Sequence, residues 1–122
     1  MEDCQPKCTC PVFHQEILDQ VKLNLLSDHE YANLVELYKV LGDLTRIKIL
    51  ESIKEHELCV CDLGHLLGVS KSAISHQMRF LKKYNLVTNK RIGKMVYYHL
   101  ANLNIQIMID QGFKQLKGQL HD

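Results

Sequence analysis

The chain has 122 residues, 46% hydrophobic and 24% charged, with six Gly, two Pro and no Trp. That is one ordinary domain, and the apolar content excludes a disordered chain. No stretch approaches the roughly 20 apolar residues of a membrane span. The opening MEDCQPKCTC is acidic and polar where a signal peptide is basic and then apolar, so a cytoplasmic protein with no membrane partner is expected.

The net charge of +1 hides an asymmetry. Residues 1–62 carry twelve acids against six Lys and Arg, whereas residues 63–109 carry seven Lys and Arg and no acid. Solubilising faces usually mix signs. A long segment of one sign calls for a polyanion, with nucleic acid the first choice.

In chain order, residues 12–26 place Ile17, Leu18, Val21 and Leu25 at helical spacing. Ser27 and Glu30 read as the capping box of a second helix over about 28–41, carrying Leu34, Leu37, Tyr38 and Leu41. Gly42 ends it, and Asp43 caps a third helix with Leu44, Ile47, Leu50 and Ile53 inward. A short helix follows from Cys59 to Leu67, with Leu63, Leu66 and Leu67 as its apolar face. Gly68-Val69-Ser70 breaks it, and a helix over about 71–84 buries Ile74, Met78 and Leu81. Two short helices joined by a Gly-containing turn form a helix-turn-helix. Next, 87–90 and 95–100 favour strands, joined by Arg91-Ile92-Gly93-Lys94, and 103–120 returns to helical spacing with Leu103, Ile107, Phe113, Leu116 and Leu120. The predicted fold is mainly α, a winged helix-turn-helix with a small two-stranded wing. Residues 1–11 read as a flexible Cys-rich arm and 12–122 as a single domain.

The second helix of the pair supplies the candidate DNA-binding residues Ser70, Lys71, Ser72, Ser75, His76, Gln77, Arg79 and Lys83. Ser72, Ser75, His76 and Arg79 share one side, opposite Ile74 and Met78. Small polar residues near its start suit base edges, while the long cations reach phosphate. Lys90, Arg91 and Lys94 on the hairpin would lie against the adjacent minor groove or backbone. With about four phosphate contacts per protomer of a dimer, log affinity should fall with log salt at a slope of roughly −7.

Five cysteines in a cytosolic chain read as metal-binding or catalytic before they read as disulfides. Cys4, Cys8 and Cys10 lie in the arm, and Cys59 and Cys61 lie mid-chain in ELCVCDL. Cys59 suits the N-cap of its helix, with Asp62 completing a capping-box variant. From a non-helical cap both sulfurs could turn outward together, and the helix dipole there favours thiolate. Two sulfurs leave a soft metal under-coordinated, so the arm must complete the site. An all-sulfur set selects Cd(II), Pb(II), Zn(II), Cu(I) or As(III). Three sulfurs suit Pb(II) or As(III), and four suit Cd(II) or Zn(II). His14, His29, His56 and His65 read as ordinary histidines. With no C-x-x-C and no Ser/His/Asp or paired-carboxylate arrangement, no enzyme is expected.

The run ELCVCDLGHLLGVSKSAISHQMRFLKKYNLVTNKRIGKMVYYHL, and the likeness around it over about 30–118, resembles the ArsR/SmtB family of metal-sensing winged-helix repressors. The resemblance implies a homodimer, joined through helices at about 12–26 and 103–118, that binds an inverted-repeat operator in double-stranded DNA and leaves it when metal binds. The cysteine arrangement is most similar to the family's cadmium-, lead- and zinc-sensing branch. That likeness implies a ligand set of Cys4 and Cys8 with Cys59 and Cys61, Cys10 being an extra candidate, and an arm that can reach the partner protomer. The D-x-H…H-x-x-E site of other relatives is replaced by Asn102, Asn104, Gln115 and Gly118, so that site is expected to be absent. Arsenic-sensing relatives often carry C-x-C-x-x-C, and this chain has Gly64 where the third Cys would stand. The alternatives are an arsenite- or antimonite-responsive repressor and a thiol redox or persulfide sensor of the same fold. From another class, a thiol enzyme or metal carrier would show no operator binding at all.

Overall fold

The structure, a computed structural model, describes Pro11 and residues 14–120. Cys4, Cys8, Cys10 and nearly all of the expected arm lie outside the described residues. The chain divides into two units at Asn33/Leu34, within its second helix.

In the first unit α1 spans Gln15–Asn24. Ile17, Leu18, Val21 and Leu25, the apolar positions at helical spacing, are all exposed. Ser27 Oγ accepts a hydrogen bond from the Glu30 N–H (3.2 Å) and so caps α2, Asp28–Leu41.

The second unit holds the rest of α2, then α3 (Leu44–Ser52), β1 (Leu58–Cys59), α4 (Val60–Leu67), α5 (Lys71–Lys83), β2 (Val87–Ile92), β3 (Met95–Leu100) and α6 (Leu103–Leu120). Its core is Ile49, Leu50, Ile53, Leu63, Ile74, Met78 and Leu81, at most 2% exposed, with Ile105 and Ile109 of α6 packed in. Burying each such side chain contributes about 1.5–3 kcal/mol, which sets α3, α4 and α5 around one centre.

Local chemistry fixes the helix ends. Asp43 accepts from the Arg46 N–H (3.0 Å) at the start of α3. Gly68, at φ +69°, closes α4 in the left-handed region, where glycine carries no Cβ penalty. The chain then turns so tightly that a Cβ on Gly64 would stand 2.9 Å from the Val69 carbonyl oxygen. α5 ends on Asn85, at φ +58°, whose N–H bonds the Lys82 carbonyl while that of Leu86 bonds Leu81. This is a Schellman motif, and it turns Leu86 inward.

Three expectations need correcting. The sheet has three antiparallel strands in the order β1-β3-β2, not two: Leu58 pairs with Tyr98 and Cys59 with Tyr97. A two-residue strand has no periodicity to read, and only pairing with β3 makes it one. The hairpin turn is Gly93-Lys94 alone, because Arg91 and Ile92 continue β2 opposite Val96 and Met95. Gly93, at φ +63°, supplies the positive φ that a two-residue hairpin needs. Finally, Leu44 (71% exposed) and Leu66 (60%) do not face inward. On α6 the residues at helical spacing, Leu103, Ile107, Phe113 and Leu116, are exposed, as a helix expected in a dimer interface would leave them, while Ile105 and Ile109 pack into the core.

Candidate nucleic-acid interface and thiol site

The helix-turn-helix pair is α4 and α5. Ser70 caps α5 by accepting from the Ala73 N–H (3.1 Å), so its hydroxyl is already engaged. With Ile74, Met78 and Leu81 buried, Lys71, Ser72, His76, Arg79, Lys82 and Lys83 are left exposed. Ser75 and Gln77 are half-buried, at the margin of that face. His76 stands edge-on to Phe80, with ring centroids 5.2 Å apart, and the Lys83 ammonium lies 5.8 Å from the Tyr84 ring.

Gln77 is turned to the scaffold. Its Oε1 accepts from Arg46 Nε at 2.7 Å, across 31 residues of chain. Arg46 and Phe80 are the residues that sequence reasoning missed. The one available signal was a lone arginine among the apolar positions of α3.

On the wing, Lys90, Arg91 and Lys94 are exposed. Lys90 is paired with Glu57 at 2.9 Å, and that acid was not anticipated. The cations thus form two groups, one along α5 and one on the hairpin. Neither α5 nor the hairpin contains an acid, Glu57 reaching Lys90 from before β1, and the exposed cations suit a phosphate backbone.

Cys59 occupies the N-cap of α4 as expected. Its sulfur accepts from the Asp62 N–H (3.5 Å), and the Asp62 carboxylate accepts from the Cys59 N–H (3.2 Å) and from the thiol itself (3.1 Å). The sulfurs do not both turn outward: Cys61 is exposed, whereas Cys59 is 4% exposed. Nor is Cys59 activated. Burial pushes its thiol above the ordinary value, and donation to Asp62 adds to the shift. Asp62 moves the other way, held below its ordinary value by the hydrogen bonds from the Cys59 thiol and backbone. Desolvation, the largest cause of the Cys59 shift, opposes the thiolate form that a helix N-terminus favours.

Among the described residues, no three His, Cys, Asp or Glu side chains could together hold a metal ion. Cys59 and Cys61 fit a soft cation in kind but supply at most two donors. Asn102 and Asn104 begin α6 with a side-chain cap, Asn102 Oδ1 accepting from the Asn104 N–H (3.0 Å). Among the described residues no helix is long and apolar enough to cross a membrane.

The sequence profile of the arsR family of bacterial regulatory proteins matches residues 43–89, which run from the cap of α3 into β2. The chain is 36% identical over 108 residues to the transcriptional repressor SmtB homolog of Synechocystis sp., covering 85% of this chain and 82% of that protein. It is 30% identical over 106 residues to the cadmium resistance transcriptional regulatory protein CadC of Listeria innocua, covering 86% and 88%. Among solved structures, M. tuberculosis Rv0081 superposes with a TM-score of 0.74 at 29% identity, over 79% of this chain and 97% of that one. The AntR antimony-specific transcriptional repressor superposes at 0.69 and 25% identity, over 81% and 90%. Fold, helix pair and a likeness over most of the chain agree: the chain belongs to the arsR family of bacterial regulatory proteins, as a winged helix-turn-helix transcriptional repressor.

Proposed function

We propose that the chain is a cytoplasmic, homodimeric repressor that holds an inverted-repeat operator and releases it when a soft metal ion, Cd(II), Pb(II) or Zn(II), binds its cysteine thiolates. One observation carries this reading. Cys59 is at once the N-cap of the first helix-turn-helix helix and a member of β1, hydrogen-bonded to wing strand β3. To act as a ligand Cys59 must give up its proton and its place in the capping box, so the first thing disturbed is the join between the helix-turn-helix and the wing sheet. Cys61, exposed one turn-start away, is the second donor. Cys4 and Cys8, with Cys10 as a further candidate, would complete the set. The similarity to a cadmium resistance regulator supports this choice of ions.

Ser72, Ser75, His76 and Arg79 are assigned to base edges and nearby phosphates, with Ser70, Lys71, Lys83, Lys90, Arg91 and Lys94 beside them. Gln77 belongs to this surface by position, although its oxygen is engaged with Arg46. Dimerisation would cover the exposed stripes of α1 and α6, and also the apolar groove lined by Tyr38, Leu41, Met108, Phe113 and Leu116.

Releasing DNA about 100-fold requires about 3 kcal/mol of coupling per dimer, and metal affinity must drop by the same factor on the operator. The test is operator affinity of the metal-free protein and after each of Cd(II), Pb(II), Zn(II), Cu(I) and As(III), repeated with Cys→Ser at all five cysteines. Thiolate–metal absorption in the near ultraviolet with no change in operator affinity would refute the coupling. An arsenite- or antimonite-responsive repressor is the second reading, favoured by the superposition on AntR. Against it stands Gly64: a third cysteine there meets the Val69 carbonyl, so a third sulfur has to come from the arm.

A further inference from the structure

Arg46 lies on α3, outside the helix pair, yet it makes two contacts to α5 and a third to the end of α2. Nε donates to Gln77 Oε1 at 2.7 Å, and Nη1 donates to the Val40 carbonyl near the end of α2 at 3.4 Å. The guanidinium carbon sits 4.6 Å from the centre of the Phe80 ring, and the same ring meets His76 edge-on. All of these side chains except His76 are half-buried. Gln77 falls on α5 between Ile74, Met78 and Leu81, three residues from the first and four from the last, so it borders the buried stripe.

The donors decide the chemistry. A guanidinium Nε–H only donates, so the Gln77 atom facing it is the amide oxygen. A glutamine that reads adenine needs that oxygen for the base's amino group and its own NH2 for N7. Here the oxygen is held in a short, charge-assisted bond. Arg46 is also locked at its backbone, through the Asp43 cap. Guanidinium geometry suits this double duty of forked hydrogen bonding and stacking, which lysine cannot reproduce.

We propose that Arg46 is a positioning residue for DNA recognition: with Gln77 as a strut and Phe80 as a platform, it fixes α5 and the His76 ring against the end of α2. Gln77 is then a brace for the recognition helix and does not itself read a base. The inference rests on the reading of α5 as the helix that enters the major groove.

The test uses a duplex selected by the wild-type chain from a random-sequence pool, compared with a scrambled duplex. Affinities are read at a temperature where circular dichroism shows every variant folded. R46M and Q77A should each lose about tenfold on the selected duplex relative to the scrambled one, the scale of one charge-assisted hydrogen bond. The double variant should be no worse than either single one. R46K, which keeps the charge and loses the fork, should fall with them. Q77E, which keeps an acceptor for Arg46 and loses the NH2, should stay within about threefold of wild type, a rescue expected only of a strut whose partner is a charged donor. The log–log salt slope should not change.

Additive losses would overturn the proposal, as would a Q77E variant as weak as Q77A, which would make Gln77 a donor to DNA. A salt slope reduced by about one in R46M would make Arg46 a phosphate contact instead. A wild-type chain that selects no sequence refutes the DNA-reading assignment of α5 itself, and is told apart by appearing before any variant is made.

Discussion

The two helices of the helix-turn-helix begin in the same way on paper and differently in chemistry. α5 starts on Ser70, an exposed hydroxyl that accepts from the Ala73 N–H at 3.1 Å. α4 starts on Cys59, a buried thiol that accepts from the Asp62 N–H at 3.5 Å and leans on the Asp62 carboxylate for the rest of its bonding. Serine is among the best N-caps because its oxygen is a strong acceptor. Sulfur is a weak one. α5 is therefore closed by a strong acceptor on the surface, while α4 is closed by a weak one held in the core.

That contrast can be broken or sharpened experimentally. The largest effect belongs to the turn between the helices. Gly64→Cys, which would install the third sulfur of C-x-C-x-x-C, drives its Cβ against the Val69 carbonyl and should cost about 1–3 kcal/mol in urea unfolding. A neutral result would show that the turn gives way to a Cβ at 64. Next, Ser70→Ala should cost about 1 kcal/mol, whereas Cys59→Ser keeps a cap and should change stability by less than half as much. Cys59→Ser should nevertheless abolish much of any Cd(II) thiolate absorption. Equal losses for the two substitutions would mean that the caps do not differ.

The pH dependence separates the two helix starts further. The Cys59 thiol is raised in the folded chain, so its stabilising contribution is complete below its ordinary value of 9.0 and is lost as pH rises from there through the raised value. The Asp62 carboxyl is lowered, so its contribution is complete above its ordinary 3.8 and is lost as pH falls from there through the lowered value. The urea midpoint should therefore drop on the alkaline side in the parent chain and less in Cys59→Ser, and drop on the acid side less in Asp62→Asn. A Cys59→Ser profile identical to the parent's above pH 9 would contradict the burial argument. The smallest effect is Glu57→Gln, which frees Lys90 of an exposed pair worth under about 1 kcal/mol. Stability should hardly move, while affinity for any duplex rises slightly and its salt slope steepens.

The legible parts of the molecule are the local ones. The caps at Ser27, Asp43, Cys59 and Ser70, the glycine at 68 and the buried Ile74, Met78 and Leu81 all follow from residue types within four positions of each other. Illegible were β1, which exists only because Tyr97 and Tyr98 lie beside it, and the inward face of α6, where Ile105 and Ile109 pack and Leu103 and Ile107 do not. Periodicity names an apolar stripe but not the surface that covers it.

What the sequence determined by itself is where helices start and stop, which segment carries cations without acids, and where sulfurs cluster, because these depend on neighbours along the chain. Tertiary structure alone decided that Cys59 is buried with its thiol shifted upward, that Lys90 has an acid beside it, and that Arg46 holds Gln77 from 31 residues away. Burial and cross-chain pairing are set by what the folded surfaces bring together, and side-chain chemistry responds to that environment rather than to its position in the sequence.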